Sequence, residues 1–318
     1  MTKVRVAVIG AGVFGRHHLR VLNQSLNATL VGVVDSDPER AAQAEAEHNC
    51  LTFATLGELA GNVDAAVVAV PTSLHAEVGC ELLESGIDVL VEKPIAADLA
   101  SARRLVDTAA KHERILQVGH LERFNPAVAA LKKIKTIPLF FEIHRLSLFS
   151  PRSLDVDVVL DLMIHDLDIV LDLADAMPEE IRAAGISILS EKVDIANVRL
   201  AFPGGCIANL TASRVSTERV RKLRLFQPHQ YISLDYQKQE AVACTVTGDR
   251  QIGFQPLPAV KEEPLRLEVE SFLEAVANRS RPMVSGEEGL RALEVARAIL
   301  DKIEEHAKLV TQRLQSLS

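Results

Sequence analysis

The chain has 318 residues, enough for two domains with separate hydrophobic cores. Apolar residues make up 48% and charged residues 25% of the sequence, which is typical of a globular protein. The net charge of −8 argues against a nucleic-acid partner, because binding to the phosphate backbone needs a concentrated basic face. The longest strongly apolar runs, such as Ala65–Val70, are the length of a strand and far too short to span a bilayer.

The N-terminus and the cysteines indicate the compartment. Met1-Thr2-Lys3 leads directly into a strand, with no apolar signal core and no cleavage site. The four cysteines, Cys50, Cys80, Cys206 and Cys244, are widely spread and show no C-x-x-C spacing. Such cysteines are typical of small buried side chains in a reducing environment. We therefore expect a cytoplasmic protein without a structural zinc site.

The first 120 residues alternate short apolar strands with helices. Each strand is rich in β-branched residues and apolar on both faces, as strands buried in a parallel sheet are. The predicted strands are Val4–Ile9, Leu30–Asp35, Ala65–Val70, Val89–Glu92 and Ile115–Val118, with helices around His17, Arg40, Glu81 and Arg103. Repeated βα units of this length predict an α/β fold, a doubly wound parallel sheet of the Rossmann type, over residues 1–120.

A glycine-rich loop, Gly10-Ala11-Gly12-Val13-Phe14-Gly15, follows the first strand and opens the first helix. In this context the first glycine permits a tight turn, and the second lets a pyrophosphate approach the backbone. The third lets helix and strand pack closely. Amide groups at the helix N-terminus then meet the phosphates. The loop therefore predicts a dinucleotide-binding site.

Asp35 predicts which dinucleotide is bound. It ends the second strand, 20 residues after Gly15, where an acid can accept hydrogen bonds from the adenosine ribose hydroxyls. A carboxylate here repels the 2′-phosphate of NADP, and Ser36 and Asp37 supply no arginine to receive that phosphate. NAD is therefore the predicted cofactor. Arg40 is the one nearby residue that could accommodate NADP.

The motif Glu92-Lys93-Pro94 lies at a strand end, on the carboxyl edge of the predicted sheet where ligands bind in such folds. A lysine at this edge can reach a bound ligand, although the motif alone also fits a solvent-facing side chain. X-Pro bonds are the ones for which the cis form is accessible, and functional turns use it. We predict that the Lys93–Pro94 peptide is cis and directs Lys93 toward the ligand.

After residue 120 the pattern changes to one long helix followed by strands with turn signals between them. The helix is predicted over Val156–Ala174, the strands near Ile181–Leu189, Asp194–Ala201, Cys206–Ser213, Val220–Phe226, Tyr231–Asp235 and Glu240–Val246, and the closing helices over about Leu265–Asn278 and Gly286–Ala307. Pro203-Gly204-Gly205 marks a hairpin turn. We therefore expect a second domain over residues 121–318, an α+β domain with a largely antiparallel, open sheet.

Acidic residues and one histidine recur along the long helix. Its apolar residues point in most directions, which is typical of a buried helix. Yet Asp157, Asp161, His165, Asp168 and Asp172 fall on one narrow stripe at 3.6 residues per turn. Because buried carboxylates need partners, the stripe is expected to face a polar cleft, cations of another domain or a metal. The Asp161–His165 pair favours a base oriented by a carboxylate over a metal site.

With these motifs in place, the chain resembles the glucose-fructose oxidoreductase/inositol dehydrogenase (GFO/IDH/MocA) family over essentially its whole length. The resemblance rests on the glycine loop, on Glu92-Lys93-Pro94 and on Asp161-x-x-x-His165. It implies that Lys93, His165 and Asp161 are catalytic. It also implies a homodimer or homotetramer formed through the sheet of the second domain. The residues expected to bind NAD are Gly10, Gly12, Val13, Phe14, Gly15, Asp35, Pro71, Glu92 and Lys93.

A narrower similarity concerns the strings GHLERFNP at 119–126 and DLMIHD at 161–166. They are similar to those of family members that oxidise the 3-hydroxyl of UDP-N-acetylglucosamine, which prepares a 3-keto sugar for an aminotransferase in lipid A or surface-polysaccharide synthesis. A UDP-sugar brings a diphosphate that needs basic partners. The residues expected to bind substrate are Lys93, Arg123, Asn125, Arg152, Asp161, His165 and Arg214. The basic run 219–224 is instead expected to form a solvated face or edge of the sheet.

These residues predict the oxidation of an alcohol. His165 removes the proton from a sugar hydroxyl, Asp161 orients His165, and Lys93 hydrogen-bonds the reacting oxygen while a hydride passes to the nicotinamide. Two alternatives stay open: a dehydrogenase of a free sugar, inositol or another carbonyl compound, and a non-catalytic NAD-binding sensor. The intact set of Lys93, Asp161 and His165 argues against the sensor, which has no need of a proton-transfer pair.

Overall fold

The computed structural model describes residues 3–149, 156–246 and 251–315. The chain divides into two compact units: Met1–Leu121 with Glu263–Leu290, and Glu122–Glu262 with Arg291–Ser318. The functional domains expected from the sequence, 1–120 and 121–318, stay a prediction. The structural units differ from them in one segment, 263–290, which belongs to the first unit.

The N-terminal part of the first unit alternates strands and helices. Its strands are β1 (Val4–Ile9), β2 (Ala28–Val34), β3 (Leu51–Thr52), β4 (Ala65–Val68), β5 (Asp88–Glu92) and β6 (Leu116–Gly119), and its helices are α1 (Val13–Gln24), α2 (Pro38–His48), α3 (His75–Glu84) and α4 (Leu99–Lys111). Every pairing is parallel, in the order β3-β2-β1-β4-β5-β6. This confirms the predicted doubly wound sheet. The strand order reverses between β1 and β4, where ligands bind outside the carboxyl ends of such strands.

The rest of the chain contains the remaining helices and strands. They are α5 (Pro126–Lys132), β7 (Phe140–Leu148), α6 (Ile164–Ala174), β8 (Glu180–Ile186), β9 (Ile195–Ala201), β10 (Ile207–Ser216), β11 (Val220–Gln227), β12 (Gln230–Asp235), β13 (Glu240–Val246), β14 (Ile252–Leu257), α7 (Pro264–Asn278) and α8 (Gly286–Gln315). Within the described residues, no helix has the length and apolarity needed to cross a membrane. All four cysteines are buried free thiols, in line with the prediction.

Helix α7 supplies part of the core of the first unit. Val269, Phe272 and Leu273 are at most 1% exposed and lie in one cluster with Val6 and Leu19 from β1 and α1. Apolar burial of this kind contributes about 1.5–3 kcal/mol per large side chain. This packing explains why residues 263–290 group with the N-terminal part of the chain.

The second unit is built on an eight-stranded sheet in the order β14-β13-β12-β11-β7-β10-β9-β8. All neighbours are antiparallel except β7 and β10, which run parallel. The predicted α+β class with a largely antiparallel sheet is thereby confirmed. Burial alternates along β9 and β10, so one face of these strands is covered and the other is open. Strand β14 was not predicted from the sequence, because it is an exposed edge strand that contains Pro256.

The predicted single helix over Val156–Ala174 is wrong in its first part. Residues Val159–Met163 form a π-helical turn, in which the amide of Ile164 donates to the carbonyl of Val159, and the α-helix begins only at Ile164. Such turns are rare in proteins as a whole, and those that occur are often found at functional sites. The turn contains Asp161 and ends two residues before His165, so it changes the direction in which the first acidic side chains of the predicted stripe point.

Candidate active site

The first and third glycines of the loop are held by backbone contacts. Gly10 has φ +94°, and a Cβ there would lie 2.7 Å from the carbonyl oxygen of Ala69 on the chain leaving β4. A Cβ at Gly15 would collide with the carbonyl group of Gly10. Both positions therefore require glycine, because the loop folds back tightly on its own helix and on the neighbouring strand.

Gly12 differs from the other two glycines, because a Cβ there would meet no atom of the described residues within 4 Å. It is the N-cap of α1, and no side chain caps this helix end within the described part of the chain. The first turn also holds no acidic residue, and Val13 and Phe14 are exposed. Open space in front of uncapped helix amides fits a pyrophosphate group, which such amides bind.

Asp35 ties the glycine loop to the loop after β2. Its carboxylate accepts hydrogen bonds from the amides of Ala11 at 2.6 Å and Asp37 at 2.8 Å. The guanidinium of Arg40 lies 3.2 Å from both the Asp35 and the Asp37 carboxylates. Arg40 thus partly neutralises the acid that is predicted to favour NAD, and it is 43% exposed.

His75 joins the loops that follow β4 and β5, a feature that the sequence analysis missed. Its Nδ1 lies 2.9 Å from the carbonyl oxygen of Pro94, and its Nε2 lies 3.0 Å from that of Val70. Pro71, expected at the cofactor, is exposed and leads into a short 3-10 turn. Burial lowers the pKa of His75 although both carbonyls act to raise it. The ring therefore connects the backbone at Val70, just before Pro71, to the backbone at Pro94.

Lys93 lies directly after β5, and the Lys93–Pro94 peptide is cis, which confirms the predicted isomer. The preceding Glu92 approaches the buried ring of His18 on α1, with 2.7 Å between Oε1 and Nε2. The Lys93 amide donates to Glu92 Oε2 at 3.3 Å. Burial alone raises the pKa of Glu92, but the hydrogen bond from His18 and the charges of His18 and Lys93 lower it below its ordinary value. Sequence reasoning did not pair His18 with Glu92.

In the second unit, the five members of the predicted acidic stripe separate. Asp161 and His165 are half-buried. Asp157 accepts a hydrogen bond from the amide of Val193 at 2.9 Å. Asp168 and Asp172 instead face Arg123. The predicted common stripe is wrong in its first part, because the π-helical turn breaks the 3.6-residue period between Asp157 and His165, whereas His165, Asp168 and Asp172 lie on the regular helix that follows.

Arg123 and Asn125, expected to bind substrate, have buried partners inside the second unit. Arg123 lies 3.0 Å from the carboxylate of Asp172. Asn125 caps α5 by accepting from the amide of Ala127 at 3.1 Å, and its amide group donates to the carbonyl of Tyr236 at 3.0 Å. These contacts account for both side chains without a substrate. We interpret them as residues that hold the segment 121–126 in place.

Arg214 also has internal partners. It donates to the carbonyls of Val156 and Val193 and lies 3.4 Å from the Asp194 carboxylate. Arg214 thus joins β10 to the start of the π-helical segment. Arg152 lies outside the described residues. In the basic run 219–224, Arg224 pairs with Glu142 at 3.0 Å on the half-exposed surface of the sheet, as expected.

A buried ion cluster next to His165 was not predicted from the sequence. Arg145 on β7 is 1% exposed and donates twice to Asp166, at 2.7 and 2.9 Å, and once to Glu122 at 2.9 Å. Its guanidinium lies 5.0 Å from the ring centroid of Tyr236. Burial acts to lower the pKa of Arg145, but Asp166 and Glu122 raise it well above its ordinary value. Alternation along β7 could have marked Arg145 as facing inward, since it occupies a core position.

The fold and the glycine loop define the class of this protein. A parallel sheet of this strand order, a tight glycine turn, open helix amides and an acid after β2 are the parts of a Rossmann-type dinucleotide-binding site. Lys93 follows β5 and His165 follows the π-helical turn, and both carry titratable groups of the kind that can exchange a proton with a substrate.

Comparison with known proteins identifies the family. Residues 4–120 match the GFO/IDH/MocA model described as an oxidoreductase family with an NAD-binding Rossmann fold, and residues 146–230 match a GFO/IDH/MocA C-terminal domain. The chain is 36% identical over 302 residues to the UDP-N-acetylglucosamine 3-dehydrogenase of Acidithiobacillus ferrooxidans, covering 93% of this chain and 96% of that protein. This protein therefore belongs to the GFO/IDH/MocA family and is an oxidoreductase that uses a nicotinamide cofactor.

Further relatives show how far this likeness extends. A solved structure of the Acidithiobacillus ferrooxidans enzyme superposes with a TM-score of 0.91 at 34% identity, covering 96% of this chain and 99% of that chain. The inositol 2-dehydrogenase of Rhizobium meliloti is 25% identical over 96% of this chain and 98% of its own length. An aldose-aldose oxidoreductase from Caulobacter crescentus shares the fold, with a TM-score of 0.83 at 20% identity over 96% of this chain and 98% of that chain.

Proposed function

We propose that this protein oxidises the 3-hydroxyl of UDP-N-acetylglucosamine with NAD and so forms a 3-keto nucleotide sugar. The carrying observation is the 36% identity to a UDP-N-acetylglucosamine 3-dehydrogenase over 93% of this chain. The same protein matches the fold at a TM-score of 0.91. A 3-keto sugar can serve as the substrate of an aminotransferase, and we propose that the reaction belongs to amino-sugar synthesis for lipid A or a surface polysaccharide.

In the proposed mechanism His165 is the general base. It removes the proton from the reacting hydroxyl, and Asp161, one turn earlier in the chain, orients the ring and favours its protonated form. Lys93 hydrogen-bonds the same oxygen and stabilises the negative charge that develops there. A nicotinamide held by the glycine loop would supply the redox chemistry, as the acceptor of the hydride from the substrate carbon. Arg152 is retained as a candidate for the substrate diphosphate.

We propose NAD rather than NADP as the cofactor. Gly10, Gly12 and Gly15 form the loop, and the backbone amides of Val13 and Phe14 at the start of α1 bind the pyrophosphate. Asp35 accepts hydrogen bonds from the adenosine ribose, and its negative charge disfavours a 2′-phosphate. Arg40 beside Asp35 weakens this preference without reversing it.

We also propose a homodimer or homotetramer assembled through the open face of the eight-stranded sheet. This face carries polar partners such as Asn197 with Thr211 and Arg224 with Glu142. Sedimentation equilibrium of the full chain measures the assembly. The substitution Arg224→Glu, which places like charges opposite Glu142, is expected to weaken it.

The substrate proposal is tested by following NADH formation with a panel of compounds. The panel contains UDP-N-acetylglucosamine, UDP-N-acetylgalactosamine, UDP-glucose, free N-acetylglucosamine, glucose and myo-inositol. We expect turnover of UDP-N-acetylglucosamine, with the product identified as the 3-keto sugar by mass spectrometry and NMR. Turnover of inositol or glucose without binding of any UDP-sugar would overturn the proposal.

A second candidate is a dehydrogenase of a free polyol, favoured by the full-length match to an inositol 2-dehydrogenase at 25% identity. The same panel separates the two candidates, because only the first requires the nucleotide. A protein that binds NAD but oxidises no member of the panel would favour a non-catalytic sensor.

A further inference from the structure

Three titratable side chains from distant parts of the chain meet inside the first unit, beside Lys93. His18 on α1, Glu92 at the end of β5 and Glu268 on α7 each place a ligand-type atom within 4.8 Å of the other two. His18 and Glu268 are 0% and 1% exposed. The amide group of Gln117 donates to the backbone carbonyl of Glu268 at 3.2 Å and helps to hold α7 against β6.

The hydrogen-bond donors in this cluster contact the carboxylate of Glu92 rather than that of Glu268. Nε2 of His18 lies 2.7 Å from Glu92 Oε1, and the Lys93 amide donates to Oε2 at 3.3 Å. Oε1 of Glu268, in contrast, has no hydrogen-bond partner among the described residues. Two ionised carboxylates this close in a buried site repel strongly, so one of them keeps its proton. The donor pattern identifies Glu92 as the ionised carboxylate and Glu268 as the acid.

We propose that Glu268 is a positioning residue for Lys93: it remains an uncharged carboxylic acid, directs its proton toward Glu92, and with His18 keeps Glu92 as the one ionised carboxylate beside Lys93. Glu92 then fixes Lys93 through the backbone amide and through the attraction between their charges. The effect on turnover rests on the proposed role of Lys93, whereas the protonation of Glu268 can be measured without substrate or cofactor.

The charges around Glu268 agree with this assignment. The titratable groups near it are His18 from α1, Glu92 with the adjacent Lys93 from β5, and His75 from α3, which acts through Glu92. Burial raises the pKa of Glu268 well above its ordinary value, and the charge of Glu92 raises it further. The pKa of Glu92 is shifted in the opposite direction. Opposite shifts of this kind are expected for a carboxyl pair that holds one proton between its members.

The protonation is tested by infrared spectroscopy of the full-length protein at about pH 8, where carboxyls of ordinary pKa are ionised. We expect a carbonyl band of a buried carboxylic acid in the wild-type protein and its loss in Glu268→Gln. Glu270→Gln is the matched control, because Glu270 lies on the same helix but faces Ser25 and Asn27. A wild-type spectrum without such a band contradicts the proposal, even if Glu268→Gln does not fold.

Kinetics test the positioning role. Because glutamine keeps the shape and a donor, Glu268→Gln is expected to retain kcat/KM within about threefold, whereas Glu268→Leu removes the donor and lowers it about tenfold or more. Equal losses in both variants would overturn the positioning role. Elemental analysis of the purified protein tests whether the cluster binds a metal instead. Stoichiometric metal in the wild type that is absent from Glu268→Gln would show a metal site with an ionised Glu268 and would overturn the proposal. If no panel compound is oxidised, the infrared result still stands.

Discussion

The guanidinium of Arg145 and the carboxylate of Asp166 form a two-bond ion pair, at 2.7 and 2.9 Å, in the interior of the second unit. Asp166 is the residue after the proposed base His165, and Arg145 lies on β7. The pair therefore anchors the start of α6 to the sheet. It links the backbone that carries His165 to a rigid element, which a catalytic side chain requires for a defined position.

This pair predicts a large effect of a single substitution on stability. Asp166→Asn is expected to lower the free energy of unfolding by about 3–5 kcal/mol, because it leaves Arg145 buried with only Glu122 as a charged partner at hydrogen-bond distance. The matched control is Glu142→Gln, which breaks the half-exposed pair with Arg224 and should cost less than about 1 kcal/mol. Urea unfolding measures both values. Equal, small losses would show that the buried pair does not anchor α6.

The glycine loop predicts opposite effects at two of its positions. Gly12→Ala should leave the free energy of unfolding within about 1 kcal/mol of the wild type, since no atom of the described residues would contact the new methyl group. It should raise the Kd for NAD about tenfold or more, because the methyl group occupies the pyrophosphate space. Gly15→Ala should lower stability by about 2 kcal/mol or more. Calorimetric titration and urea unfolding check both variants, and normal NAD binding by Gly12→Ala would contradict the placement of the pyrophosphate.

Asp35 is expected to set the preference for NAD. In Asp35→Asn the side-chain oxygen can still accept a hydrogen bond from a backbone amide of the loop. The negative charge is lost, however, and Arg40 then becomes available to a 2′-phosphate. The ratio of kcat/KM for NADP over NAD should rise about tenfold or more, the worth of one hydrogen bond to a charged group. Asp37→Asn removes a charge from the same surface and is expected to change the ratio much less. An equal rise in both variants would mean that the effect is one of net charge alone.

The raised pKa of Glu268 predicts a pH dependence of stability. The folded protein keeps a proton that the unfolded chain releases above about pH 4.3. The contribution of Glu268 to the free energy of unfolding is therefore fully present below the pKa of the unfolded chain. It is lost by about 1.4 kcal/mol per pH unit as pH rises toward the pKa of the folded protein. Glu268→Gln has no such proton, so its unfolding free energy relative to wild type should increase as pH rises above about pH 5. Parallel pH profiles would show that Glu268 titrates normally.

Much of the first unit is predictable because its signals are local. The glycine spacing, the acid after β2 and the apolar strands all lie within short stretches, and the structure places them as expected. The cis Lys93–Pro94 bond follows from one dipeptide in its strand-end context. Strand β14 was not predicted because it is an exposed edge strand that contains Gly253 and Pro256, residue types that are depleted in strands.

The missed parts of the candidate site depend on partners far apart in the chain. His18 and Glu92 are 74 residues apart, and Gln117 and Glu268 are 151 residues apart. No local pattern specifies such pairs. The spacing of four residues between Asp157, Asp161 and His165 favoured a regular helix, whereas residues 159–163 form a wider π-helical turn and Asp157 accepts a hydrogen bond from the amide of Val193. Arg123 and Arg214, which are predicted to bind the substrate, also contact internal acids and carbonyls, and a sequence does not show such contacts.

The central claim is that His165 is the base that accepts the proton from the substrate hydroxyl. His165→Asn keeps much of the size and polarity of the side chain but removes the group that titrates near neutral pH. Kinetics with the substrate found in the panel, together with Tm and NAD affinity, test this variant beside His112→Asn, which makes the same change at another half-buried histidine. We predict that kcat falls by about two to four orders of magnitude while Tm and NAD affinity stay near wild type. A folded His165→Asn protein with near-normal kcat would contradict the account.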